Sequence, residues 1–152
     1  MFLGVNTLNL DAKGRMAIPS KHRDALADCC ASRVVVTVHP QEHCLWLYPE
    51  NEWHEIARKL MRLPTMVRQN QLLQRLLLGH ASELEMDGQG RVLLSPELRK
   101  YAGLDKKVSL VGQGNKFEIW DESTWTGSRE DWLAEASDSG SELSEQLGEM
   151  VF

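Results

Sequence analysis

The sequence predicts an α+β, β-rich fold made from two copies of one small module. The phrase Asp-x-x-Gly-Arg, between apolar residues and with a proline soon after, occurs twice, in LDAKGRMAIP (10–19) and MDGQGRVLLSP (86–96). Asp11 and Asp87, Arg15 and Arg91, and Arg23 and Arg99 each stand 76 residues apart. Further on, LWLYPENEW (45–53) resembles FEIWDESTW (117–125), with Trp53 and Trp125 now 72 residues apart. The first half therefore carries four extra residues, placed most simply in the loop HPQEHC (39–44). Half of 152 residues is about 75, near the lower limit for a self-sufficient core. Two such halves are expected to share a core or to assemble with further copies.

The elements follow from local pattern. LGVNTLNL (3–10) alternates with the period of a half-buried strand. Gly14 permits the positive φ of a tight turn, and RMAI is expected to return as the paired strand. Pro19 suits the first turn of a helix over 19–27. RVVVTV (33–38) and CLWLY (44–48) are β-branched and aromatic strands. Residues 50–63 put Trp53, Ile56, Ala57, Leu60 and Leu63 on one face of a helix that Pro64 ends. MVRQNQLLQRLLLG (66–79) is a second helix, stopped by Gly79, and links the halves. The second half repeats the order: ASELEM and RVLL flank Gly88 and Gly90, and a helix over 96–102 opens on Pro96 and stops at Gly103. KVSLVG (107–112) and KFEIW (116–120) then flank a QGN turn. Asp121 is placed to cap a helix over 121–136, and the polar, acidic tail from Ser137 is expected to be weakly ordered beyond a short helix.

Charge divides the chain unevenly. The net charge is −5, yet residues 1–75 hold ten bases and seven acids, whereas residues 76–152 hold seven bases and fifteen acids. Within residues 1–23 Asp11 is the one acid, against Lys13, Arg15, Lys21 and Arg23. This asymmetry points to an anionic partner for the N-terminal face and a solvating acidic tail, although two ordinary solvated surfaces would look the same. The start MFLGVNTLNLD lacks a charged leader and a long apolar region, and no apolar run approaches the roughly 20 residues that span a bilayer. The expected compartment is the cytoplasm. Cys29, Cys30 and Cys44 are odd in number and show no C-x-x-C spacing, so no disulfide framework is expected.

The two Asp-x-x-Gly-Arg phrases, together with QRLLLGHASELEMDGQGR (74–91) and LVGQGNKFEIWDESTW (110–125), resemble the MraZ family over roughly residues 1–136. That resemblance implies two tandem SpoVT/AbrB-like swapped-hairpin β-barrel domains with short helices, forming an internal pseudo-dimer. The implied layout is a first domain over 1–52, a helical connector over 53–79, a second domain over 80–124, and a C-terminal helix with acidic tail over 125–152. It further implies a ring-shaped homo-oligomer that binds short direct repeats in double-stranded DNA. The expected role is a transcriptional regulator, a repressor, of the division and cell-wall gene cluster that includes its own gene. Its place would be the cytoplasm, at the nucleoid, with no membrane partner.

Arginine can hold guanine bidentately or a phosphate as a fork, and a two-stranded β-ribbon can enter the major groove. The candidate DNA contacts are Lys13 and Arg15 at the first turn and Lys21 and Arg23 on the next helix. Gln89, Arg91, Arg99 and Lys100 are their weaker counterparts, because position 89 has lost the Lys13 charge and Glu97 replaces Lys21. Asp11, Gly14, Asp87 and Gly90 are assigned to hairpin structure, and either Arg could instead pair with its own Asp. His39, His43 and Cys44 cluster in a loop without a second ligand pair at zinc spacing, so no metal is expected. No G-x-S-x-G, P-loop or H-E-x-x-H occurs, so neither an enzyme nor a cofactor or small-molecule substrate is expected. The five tryptophans could stack single-stranded bases, but Trp53 and Trp125 at helix starts suit packing better. The alternative from another class is an antitoxin-like protein-interaction module whose acidic tail wraps a partner.

Overall fold

A computed structural model describes residues 1–138 and 145–150. The chain divides into two compact units, Met1–Glu122 and Ser123–Phe152. The first unit holds β1 (Val5–Asn9), β2 (Arg15–Ala17), α1 (Ser20–Cys30), β3 (Arg33–Val38), β4 (Leu45–Pro49), α2 (Glu50–Arg62) and α3 (Arg68–Leu73). A π-helical turn, Gln74–Leu78, prolongs α3, and then β5 (Ser82–Glu85), β6 (Arg91–Leu93), α4 (Pro96–Tyr101), β7 (Lys107–Gly112) and β8 (Phe117–Asp121) repeat the opening order. Helix α5 (Glu122–Asp138) starts at the end of this unit. In the second unit Trp125 and Trp132 meet edge to face at 5.4 Å, and α6 spans Glu145–Gly148. The weak order expected from Ser137 onward falls partly on residues 139–144 and 151–152, which lie outside the described residues.

The repeat is written into the sheet. Six strands run in the order β1-β7-β8-β4-β3-β5, all antiparallel, and β2 pairs with β6 in a separate two-stranded ribbon. The expectation that RMAI returns to pair with the strand before it is therefore corrected. β1 pairs with β7 of the other half, β5 pairs with β3, and β2 pairs with β6. Each half lends its first strand to the other half's sheet, which is the swapped hairpin. The turns form as expected, but β1 and β2 diverge beyond Asp11: the five residues of β1 find a longer partner in the six of β7, and Met16 of β2 meets Val92 of β6 across the ribbon. Trp46 faces Glu118 at the β4–β8 junction, and Met16 faces Val92 in the ribbon. Both are equivalent positions of the repeat, so one pseudo-twofold axis passes through the two pairs.

The four extra residues of the first half are also relocated. β3 and β7 begin at Arg33 and Lys107, an offset of 74, whereas β4 and β8 begin at Leu45 and Phe117, an offset of 72. Two extra residues thus fall between Arg23 and Arg33, where α1 runs eleven residues against six in α4. Only the other two lie in the 39–44 loop. Proline positions differ as well: Pro19 precedes α1 with extended backbone, while Ser95 caps α4 by accepting from Leu98 N and leaves Pro96 at the first helical position.

Two layers of apolar side chains clamp the sheet. On one face, Met16, Ile18, Leu26, Val34, Val36, Leu45 and Leu47 pack with Val92, Leu94, Leu98, Val108, Leu110, Phe117 and Ile119 in a single core drawn from both halves. A half-chain alone would leave its share of that core open to water, so sharing supplies what 75-odd residues lack. On the other face, Trp53 and Leu60 of α2 and Leu77 of the π-turn cover Val35 and Tyr48. The π-turn also presents the Leu77 carbonyl, which accepts from the buried Thr37 hydroxyl at 2.7 Å. Cys29 and Cys30 differ from the expectation in one respect, since their sulfurs are bonded at 2.12 Å. A bridge between neighbours closes no loop in the unfolded chain and so makes no framework.

Candidate nucleic-acid interface

The ribbon β2–β6 has one face in the core and one in solvent. Met16 and Val92 are 0% and 1% exposed, and the alternation of a strand sends Arg15, Ala17, Arg91 and Leu93 the other way. Arg15 lies opposite Leu93, and Arg91 lies opposite Ala17. The two arginines are therefore diagonal neighbours across the pseudo-twofold axis, at a backbone separation of about 7–8 Å.

Each arginine is held by its own turn. Asp11 Oδ1 accepts from the backbone N–H of Lys13 and Arg15 at 3.0 and 2.9 Å, and Asp11 Oδ2 accepts from Arg15 Nε at 2.7 Å. Asp87 repeats the pattern with Gln89 N, Arg91 N and Arg91 Nε at 2.9, 2.9 and 2.8 Å. The backbone N–H groups of Arg15 and Arg91, more than their guanidinium groups, hold the two carboxyls below the usual aspartate range. Both carboxylates are thus charged at any physiological pH. Since Nε is occupied, each guanidinium is oriented, and among the described residues its η nitrogens have no hydrogen-bond partner. The Asp-x-x-Gly-Arg phrase is a device that fixes an arginine fork at the edge of a ribbon. It is built alike in both halves, where the charge pattern had favoured the first.

Arg23 and Arg99 are placed differently. Arg23 Nε donates to the Ile18 carbonyl at 2.6 Å, and Arg99 Nε donates to the Leu94 carbonyl at 3.1 Å. Each guanidinium lies against the turn glycine of the opposite half. A Cβ at Gly14 would stand 2.6 Å from Arg99 Cζ and Nε, and one at Gly90 would overlap the Arg23 side chain. The glycine carbonyls complete the clasp: Gly90 O accepts from Ile18 N at 2.9 Å, and Gly14 O accepts from Leu94 N at 3.0 Å. These arginines, read in the sequence as candidate DNA contacts, are half-buried and brace one half's turn against the other half's helix. The positive φ of +87° at Gly14 and +73° at Gly90 completes the case for glycine there.

Lys13, Lys21, Gln89 and Lys100 are exposed, as a contact to DNA would need. Lys13 and Gln89 stand in the two turns, next to the oriented arginines. Glu97, the counterpart of Lys21, lies 3.8 Å from His80 Nε2. Sequence reasoning missed the outward position of Leu93, although the alternation Arg91, Leu93 was there to signal it.

The loop set aside as a metal candidate has other bonds. His39 Nδ1 accepts from the backbone N–H of Gln41 and Glu42 at 3.0 and 3.1 Å, which shapes the turn. Burial lowers the His39 pKa, and burial raises that of the Cys44 thiol, so both are neutral. Among the described residues no three His, Cys, Asp or Glu side chains converge as a metal site requires. No helix among them is long and apolar enough to cross a membrane.

A family model described as "MraZ protein, putative antitoxin-like" matches residues 1–76 and again 77–146, the two repeats in turn. The chain is 56% identical over 147 residues to the transcriptional regulator MraZ of Halorhodospira halophila, covering 97% of each chain. It is 58% identical over 139 residues to the protein of the same name from Thioalkalivibrio sulfidiphilus, covering 91% of this chain and 92% of that one. With the namesake from Methylococcus capsulatus the identity is 52% over 153 residues, with full coverage of both. These relatives are named for regulation of transcription and not for a catalysed reaction.

Proposed function

The chain belongs to the MraZ family, and we propose that it is a DNA-binding transcriptional regulator whose contact surface is the outward face of the β2–β6 ribbon. The observation that carries this reading is the pair of Asp-oriented guanidinium forks, Arg15 and Arg91, on one exposed ribbon face. A two-stranded ribbon fits the major groove, and an oriented fork suits guanine O6 and N7 or a phosphate. In this reading Arg15 and Arg91 address base edges, Lys13, Lys21 and Lys100 hold flanking phosphates, and Gln89 serves as a neutral counterpart of Lys13. Arg23 and Arg99 keep the two turns at a fixed separation. The relatives' names support the regulatory role.

The finer role is a repressor of the division and cell-wall gene cluster that includes its own gene, acting in the cytoplasm at the nucleoid. A ring of copies would meet several short direct repeats at once, and weak single contacts would gain through effective concentration. The repeat domains are taken as residues 1–52 and 80–124, with the connector 53–79 between them and the helix and acidic tail 125–152 after them. Footprinting on DNA upstream of the chain's own gene tests the whole reading. Protection at regular intervals over short repeats is expected, and a featureless ladder at protein excess would refute it. A stable toxin-like protein recovered with the chain, together with no footprint, would favour the antitoxin-like alternative.

A further inference from the structure

Besides its two arginines, the outward face of the ribbon carries Ala17 and Leu93. Leu93 is 51% exposed, while its neighbours Val92 and Leu94 are 1% and 0% exposed, so the strand's inward positions are already filled. A single exposed leucine is ordinary on a protein surface. This one is set apart by its register, directly across the ribbon from Arg15 at a cross-strand distance of about 5 Å. Any surface that the Arg15 fork approaches must also meet the Leu93 side chain. In the major groove the base edges offer hydrogen-bond donors and acceptors and one apolar feature, the thymine 5-methyl group.

Resting on the DNA-binding reading above, we infer that Leu93 is a specificity-determining residue that packs on a thymine methyl beside the base pair met by Arg15. The pseudo-twofold counterpart of Leu93 is Ala17, across from Arg91. Alanine ends at Cβ and reaches less far toward the groove. The two halves of the ribbon therefore ask different things of DNA: a guanine-type contact with a neighbouring methyl on the Arg15 side, and no such methyl on the Arg91 side. The asymmetry would set the direction in which one subunit lies on an otherwise near-symmetric contact, as direct repeats require.

The test uses the full chain and a short duplex enriched by it from a random library. Each thymine is replaced in turn by deoxyuridine, which removes only the 5-methyl group. For the natural chain, one thymine beside the Arg15-dependent pair should cost about fourfold in affinity, the worth of one buried methyl group. Leu93→Ala should be insensitive to that replacement, and Leu93→Met, which keeps an apolar reach, should retain the sensitivity. Equal sensitivity of Leu93→Ala and the natural chain at every thymine would overturn the inference while leaving DNA binding intact. So would a change of assembly size in Leu93→Ala, which would make Leu93 a contact between subunits. If no duplex is enriched at all, the DNA-binding reading fails and this inference fails with it.

Discussion

Gly14→Ala measures the clasp between the halves. Two costs add at this position. The φ of +87° lies in the left-handed region, where an L side chain costs roughly 1–2 kcal/mol. The new Cβ would also stand 2.6 Å from Arg99 Cζ and Nε, so the guanidinium must move and its bond to the Leu94 carbonyl is lost. A hydrogen bond from a charged donor is worth about 1.5–3 kcal/mol, and a half-buried site takes the lower end. Gly114 supplies the control, because its φ is also +87° and a Cβ there meets nothing within 4 Å. Gly114→Ala should therefore cost about 1–2 kcal/mol and Gly14→Ala about 1.5 kcal/mol more, read as the shift in urea midpoint at constant slope. Arg99→Ala in the Gly14→Ala background should add little, since the bond is already broken. Equal costs for Gly14→Ala and Gly114→Ala would refute the clasp and return Arg99 to the pool of DNA contacts.

Arg15→Ala and Arg91→Ala should each weaken specific DNA binding by about 1–3 kcal/mol in a gel-shift titration, with the assembly unchanged in size. An effect confined to Arg15 would mean that the equal geometry of the two turns is not matched by equal use. Asp11→Asn should lower affinity by less than Arg15→Ala, because it frees the fork without removing it; no change would show that orientation by Asp11 is irrelevant. A monomeric variant should lose most affinity for a multi-repeat duplex and little for a single repeat, and equal losses on both would dismiss avidity. His22 is 6% exposed between Phe2 and Phe117, its Nε2 has no hydrogen-bond partner among the described residues, and burial lowers its pKa below 6.5. A lowered histidine pKa gives stability that is complete above about 6.5 and lost as pH falls through the folded value. His22→Leu, which copies Leu98 of the other half, should flatten the fall in urea midpoint between neutral and mildly acidic pH, leaving the share due to His39; an unchanged slope would clear His22.

Local pattern made the two turns and the alternation of β1 legible, while α1, read as ending at residue 27, runs on to Cys30. Asp11, Gly14 and Arg15 announce a turn because the residue types that make one are adjacent in sequence. The strand partners were not legible from the residues, because alternation assigns Leu8 or Val92 to a face and says nothing of which strand lies beside it. The family resemblance supplied that exchange of strands. Arg23 against Gly90 could not be read at all. Both residues have good local explanations, and only the exchange of strands brings one half's helix to the other half's turn. The extra residues of the first half were misassigned because a loop is the usual place for an insertion, whereas two of them lengthen α1.

The facing of Trp46 and Glu118 has a consequence for what the chain can no longer be. On a true twofold axis these two positions would hold the same residue. Here the Glu118 carboxylate accepts from Trp46 Nε1 and from Trp120 Nε1, both at 3.0 Å. A second-half fragment pairing with itself would set two Glu118 carboxylates face to face at the seam, each without its Trp46 donor. A first-half fragment would set two indoles there with no acceptor between them. The halves have become lock and key to one another, so separating the gene at its midpoint should yield two pieces that recognise each other and not themselves.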